Sequence, residues 1–385
     1  MSALPPLSLY VHFPWCVRKC PYCDFNSHTL HGALPEDAYI EALLSDLAAQ
    51  SADVQGRVVT SVFLGGGTPS LFTPAGLARL LSALKSELEF ALDAEITLEA
   101  NPGTIERGRF GDYRAAGVNR VSLGAQSFAD DSLQRLGRIH AAADTERAVL
   151  ELRAAGINNF NLDLMYALPQ QSVAAALADI EAALRLEPTH ISHYELTLEP
   201  GTVFGGLPPA GLPDADTAHQ MQLACQRRLA EAGYAQYEVS AYAREGRRCR
   251  HNLNYWRFGD YLGIGAGAHG KCSRVHDDTL RIERTWRERE PRRYLSHLPG
   301  LPGRRVVPSA DLPFEYLMNA LRLLEGFDER EFEQRTGLHS GILSASLARL
   351  RARDLVECSG GRWRASALGF NFLNDVVSEF LAPQR

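Results

Sequence analysis

The feature that most limits how this chain can fold is a strand-then-helix alternation through its first 240 residues. Apolar, β-rich segments recur at Leu7–Phe13, Ser61–Leu64, Glu95–Glu99, Arg120–Leu123, Phe160–Met165 and His190–Leu196. Helix-like stretches lie between them at Glu36–Gln50, Pro74–Leu88, Ala143–Ala155 and Val173–Leu186. Several helical stretches stop at a glycine (Gly117, Gly156, Gly233), the residue that most easily takes a left-handed cap. Alternation of this length predicts a parallel sheet with helices outside it, an α/β fold. Six such units suit a partial (β/α)6, TIM-like barrel, although a flat doubly wound sheet satisfies the same pattern. A Gly/Pro-rich loop, GGLPPAGLPD at 205–214, leads into one more helix from Ala215 to Ala232. Residues 1–240 are therefore expected to form the barrel core.

The remainder divides in two. Residues 241–305 are arginine-rich with little periodicity, and are expected to be an irregular segment that wraps the barrel or connects domains. Residues 306–385 turn helical at Phe314–Leu324, Glu329–Thr336 and Ile342–Arg353. Two strand-like pieces, Leu355–Cys358 and Arg362–Ala365, then flank a Gly360-Gly361 turn before a last helix. Three helices and a hairpin predict a smaller C-terminal, winged-helix-like domain. Its helices lack a basic recognition face and the chain carries a net charge of −6, so a packing module is expected and no nucleic-acid partner. The chain has no run of 18 apolar residues, and its start, MSALPPLSLYVHF, lacks the basic-then-apolar order of a signal peptide. A cytoplasmic protein is expected, touching membrane only through a partner.

Seven cysteines in a cytoplasmic chain do not make a disulfide framework. Three of them lie within eight residues, Cys16-Val-Arg-Lys-Cys20-Pro-Tyr-Cys23, directly after the first strand. Soft thiolates on one short loop can hold three corners of a [4Fe–4S] cube. The next cysteine, Cys225, is far along the chain, so one iron can stay open to a small molecule. Zinc or inert thiols are the competing readings, and the C-x3-C-x2-C spacing after a strand favours the cluster. Gly65-Gly66-Gly67-Thr68-Pro69 follows the second strand, where missing Cβ atoms permit a close backbone approach; in isolation it is simply a turn. Glu99, Gln126 and Asp163 end successive strands, and Arg138 follows a short helix. In a βα barrel such positions share one face with the cysteine loop, although each alone would equally be a capping or ion-paired residue.

These motifs together resemble the radical-SAM superfamily. The resemblance implies a cluster on Cys16, Cys20 and Cys23 with S-adenosylmethionine (SAM) on the fourth iron. It assigns Tyr10, Tyr22, Gly66, Gly67, Thr68, Glu99, Gln126, Arg138 and Asp163 to SAM, with Arg138 on its carboxylate. From LYVHFPWC to LGFNFLNDVVSEF the whole chain is similar to the oxygen-independent coproporphyrinogen III oxidase family. That family includes true oxidases and haem chaperones of the HemW type. True oxidases carry another cysteine where Phe25 stands here, and a long extension before the cluster loop, where this chain has 15 residues. His251-Asn252-Leu253-Asn254-Tyr255-Trp256 matches the HNxxYW motif of the chaperones.

The resemblance therefore implies a haem chaperone that binds haem and passes it to an acceptor protein. The rivals are coproporphyrinogen III dehydrogenase and a radical-SAM methyltransferase. His251 is the candidate haem ligand, with Cys249 as an alternative and His269 as a further candidate. Tyr255 and Trp256 offer flat apolar surface to a porphyrin, and Arg247, Arg248 and Arg250 are candidate partners of its propionates or plain surface. The motif by itself equally fits a structural loop. SAM cleavage without porphyrin decarboxylation is compatible with this reading, as is a homodimer. Cys225, Cys272 and Cys358 are read as small hydrophobes. The GIGAGA run at 263–268 lacks the strand–helix setting of a dinucleotide loop.

Overall fold

The first strand, β1 (Leu7–Phe13), is buried at every position except Tyr10, which is half-buried. A parallel strand is covered on both faces, so even Ser8 and His12, which alternate with its apolar residues, are buried. In the computed structural model, which describes residues 4–104, 109–277, 279–296 and 303–382, five more strands continue the pattern. They are β2 (Val59–Gly66), β3 (Phe90–Ala100), β4 (Arg120–Gln126), β5 (Phe160–Tyr166) and β6 (His190–Glu195). All pair in parallel in chain order. Helices Glu36–Ala48, Pro74–Glu87, Ala142–Ala154, Val173–Arg185 and Ala215–Glu231 lie between or after them. Their starts are held by side-chain caps: Thr73 accepts from the Gly76 amide, Ser172 from Ala175 and Asp214 from Thr217. The register sets Phe13 beside Gly66, Glu99 beside Ser122 and Gly124 beside Asp163, so the carboxyl ends of the strands come together.

Residues 241–305 are not the irregular segment that their composition suggests. They supply a seventh parallel strand, β7 (Asp260–Ile264), on the free side of β1. A hairpin follows, β8 (His269–His276) and β9 (Thr279–Trp286), with β10 (Gly303–Val306) on its outer edge, all antiparallel. On the opposite edge Ala241–Ala243 pairs antiparallel with β6, leaving the barrel open. Residues 278 and 297–302 of this segment lie outside the described residues, as do residues 1–3. The arginines that hid the hairpin are partners of buried acids. Arg274 and Arg304 meet Asp53, Arg287 meets Asp46 at 2.5 Å, and Arg57 with Lys271 meets Asp260. Their partners lie far away in sequence, so no local periodicity records them.

The C-terminal unit matches its expectation. Helices Leu312–Ala320, Glu329–Thr336 and Ser344–Ala352 pack beside a three-stranded sheet in which Arg362–Ala365 lies between Phe327–Asp328 and Val356–Ser359. Tyr316 is fully buried at its centre, edge-on to Phe327 and Phe332. Phe258 and Ile282, from the sheet side, complete the same core and tie the unit to the barrel. Among the described residues no helix is long and apolar enough to cross a membrane.

Candidate functional site

The cysteine loop leaves β1 and is closed by a short parallel pairing of Trp15–Cys16 with His28–Thr29. Inside it the Cys23 amide donates to the Cys20 carbonyl at 3.1 Å, a tight turn around Pro21-Tyr22. All three thiols face one cavity beside the strand ends. Each meets a different polar group: Thr68 Oγ1 donates to Cys16 at 3.5 Å, Arg138 Nη1 donates to Cys20 at 3.6 Å, and Ser27 Oγ lies 3.6 Å from Cys23. Burial pushes the Cys16 thiol pKa up, and the nearby Cys23 and Cys20 add to it. Such a pocket of sulfur with donors around it suits a centre that turns thiols into thiolates. Cys225, Cys249 and Cys272 are buried elsewhere and Cys358 sits in the C-terminal hairpin, so none of the four lines this cavity. Among the described residues no trio of His, Cys, Asp or Glu closes around a single-ion position. An open cavity walled by three thiols fits a cluster better than one zinc ion.

Tyr22, Gly66, Gly67, Thr68, Glu99, Gln126, Arg138 and Asp163 line the same cavity as the thiols. The two glycines are there for close approach. A Cβ on Gly67 would stand 2.6 Å from the Trp15 carbonyl oxygen; on Gly66, where φ is +111°, it would stand 2.4 Å from the His12 ring. The Gly66 amide donates to Glu99 at 2.9 Å. Arg138 is anchored by donating to the Gly124 carbonyl at 2.7 Å, which aims its charge at the cavity. Asp163 accepts from Ser122 and Asn161. Burial pushes the Glu99 carboxyl up to about 8 and raises Asp163 as well, so each holds its proton more tightly than a free carboxyl. Sequence reasoning missed Tyr194, which donates to Gln126 Oε1 at 2.9 Å, and Ser27 and Ser122. Tyr194 stands near the end of a strand in step with the acids, the signal that would have found it.

Tyr10 is placed differently from the others. Its hydroxyl lies 2.9 Å from His12 Nδ1, and its ring lines an adjoining cavity of about 390 Å³. His12, Asn26, Tyr255, Tyr261, His269 and Arg289 complete that cavity, and Phe25, Gly66 and Glu99 wall both.

The radical SAM superfamily profile matches residues 10–183, and the HemN C-terminal domain matches residues 307–372. The chain is 49% identical over 383 residues to Heme chaperone HemW of Escherichia coli, covering 99% of this chain and 100% of that protein. The chain belongs to the HemW family. The Haemophilus influenzae Heme chaperone HemW is 46% identical, with both proteins covered in full. Radical S-adenosyl methionine domain-containing protein 1, mitochondrial, of Bos taurus is 38% identical over 85% of this chain and 75% of its own length. Among solved structures, the Escherichia coli coproporphyrinogen III oxidase HemN superposes with a TM-score of 0.82 over 98% of this chain and 90% of its own, at 23% identity, which shows a shared fold. The superfamily carries a [4Fe–4S] cluster and SAM.

In this HemW-family chain the HNxxYW segment is the helix Arg250–Trp256, and only part of it reaches the second cavity. Tyr255 lines it; His251 lies behind the wall, 3% exposed, stacked on Phe63 and edge-on to Tyr255 at 4.8 Å each. Trp256 turns away, under Arg322 and against the cluster of Tyr237, Ala241, Ala243 and Leu323, and does not line the cavity. Arg248 pairs with Glu325 and Arg250 with Asp93, while Arg247 is exposed, and none of these arginines lines the cavity. Cys249 is 1% exposed, donates to Glu95 at 3.5 Å and has its thiol pushed up to about 12 by burial. A thiol so held stays protonated and is a poor metal ligand.

Proposed function

We propose that the protein is a haem chaperone that holds a SAM-ligated [4Fe–4S] cluster, takes up haem and passes it to an acceptor protein. The observation that carries this reading is the pair of adjoining cavities, one sulfur-lined and one aromatic, with Phe25, Gly66 and Glu99 as their common wall. End-to-end similarity to relatives named Heme chaperone HemW supports the same reading.

Cys16, Cys20 and Cys23 would hold three irons. The Gly66–Thr68 backbone, Glu99, Gln126, Asp163 and Arg138 would hold SAM, with Arg138 opposite its carboxylate. Bound there, cluster and SAM supply one-electron reductive cleavage chemistry. The chain's own part is orientation and charge. Arg138 offsets negative charge at Cys20, and Glu99 and Asp163 are placed to meet a cation. Phe25 stands where a further cysteine would mark a coproporphyrinogen dehydrogenase, and it lines both cavities.

Anaerobically reconstituted protein titrated with haem tests the proposal. A stable Soret band, and its loss to an added apo-haemoprotein, are expected. Conversion of coproporphyrinogen III to protoporphyrinogen would overturn it.

A further inference from the structure

The second cavity holds two polar groups that the fold leaves unused. His269, exposed at the start of β8, lines it, and its imidazole has no hydrogen-bond partner among the described residues. Arg289 lines it too; its carbonyl accepts from Asn26, but its guanidinium has no acid partner among the described residues. Two further histidines nearby have settled roles. His12 meets Tyr10 with one ring nitrogen and the Asn26 carbonyl with the other, at 2.9 Å each. His251 is shielded by Phe63 and Tyr255, and its Nδ1 lies 3.5 Å from Ser61 Oγ.

The loop presenting His269 is fixed from below. Buried Asp46 accepts from the Gly265 amide, Arg287 and the Tyr294 hydroxyl, and Asn26 Nδ2 straps the Ala266 and Arg289 carbonyls together. The backbone that leads into His269 is therefore anchored, and Tyr255 and Tyr261, whose rings lie 4.3 Å apart, line the same cavity. Phe25, 59% exposed, lines the same cavity.

Resting on the haem reading above, we infer that His269 is the protein ligand to the haem iron and that Arg289 pairs with a propionate. An unpartnered imidazole, a free guanidinium and flat aromatic walls are what a planar, iron-centred dianion requires. His251 is then a positioning residue, bracing Tyr255 and Phe63 from behind.

Haem titration followed by Soret absorption and electron paramagnetic resonance, on the full chain, separates these roles. His269→Ala should weaken binding about tenfold or more and lose the imidazole-ligated spectrum, with added imidazole restoring it. His251→Ala should keep that spectrum. Arg289→Ala should weaken uptake of haem but not of its dimethyl ester. If the wild type binds haem and His269→Ala gives an unchanged spectrum, or His251→Ala alone abolishes the ligand signature, the assignment is overturned. If the wild type takes up no haem, the haem reading fails first and the assignment with it.

Discussion

Gly66→Ala is the sharpest probe of how the two cavities are built. At φ +111° an alanine costs about 1–3 kcal/mol of backbone strain, offset by roughly 0.4–1 kcal/mol from the stiffer unfolded chain. The new methyl would also sit 2.4 Å from His12 Cε1 and 2.6 Å from Nδ1. That ring cannot step aside freely: it is 4% exposed and held by Tyr10 and Asn26. Moving it breaks two hydrogen bonds, each worth about 0.5–1.5 kcal/mol. The total loss should be about 1–6 kcal/mol. Gly56→Ala is the matched control, with φ +68° and no atom within 4 Å of the added carbon, so only strain applies, about 1 kcal/mol. Guanidinium unfolding of the two variants and wild type, with slopes compared, gives both numbers. If the Gly66 and Gly56 variants lose the same stability, the wedge against His12 is wrong.

Three further outcomes are expected. The Glu99 carboxyl titrates at about 8 in the folded chain, above its ordinary 4.5, so the folded state holds the proton more tightly. Its stabilising share is complete below the ordinary value and lost as pH rises through about 8. Glu99→Gln should therefore gain on wild type in melting temperature between pH 6 and 9, and a flat difference would refute the burial argument. Arg138→Met should weaken SAM binding about tenfold or more, measured by calorimetry on cluster-loaded protein, since it removes a charged donor anchored at 2.7 Å; unchanged affinity would remove Arg138 from the site. Cys20→Ala should lose the cluster's iron and charge-transfer absorption, whereas Cys249→Ala should keep both and lose about 1 kcal/mol of stability. Iron loss in the Cys249 variant would place that thiol at the metal after all.

What the sequence determined by itself is whatever is written within one turn or one strand. Strands β1 to β6 are legible because each carries apolar, β-rich residues between turn or helix signals, a pattern that repeats along the chain. The cysteine triad is legible because its three ligands share one loop. Glu99 and Gln126 stand at the ends of successive strands, and Asp163, expected at the end of the next, lies midway along it, where pairing with Gly124 still brings it to the same cavity. Tertiary structure decided the rest, because it depends on partners distant in the chain. The hairpin of β8 and β9 looks irregular until Asp46, Asp53 and Asp260 are seen neutralising its arginines and Lys271. Nothing in HNxxYW tells that the histidine faces Phe63, the tryptophan faces Leu323 and only the tyrosine meets the cavity. Side chains on a seven-residue helix point every way around it, and only the surfaces packed against that helix select which one is left facing open space.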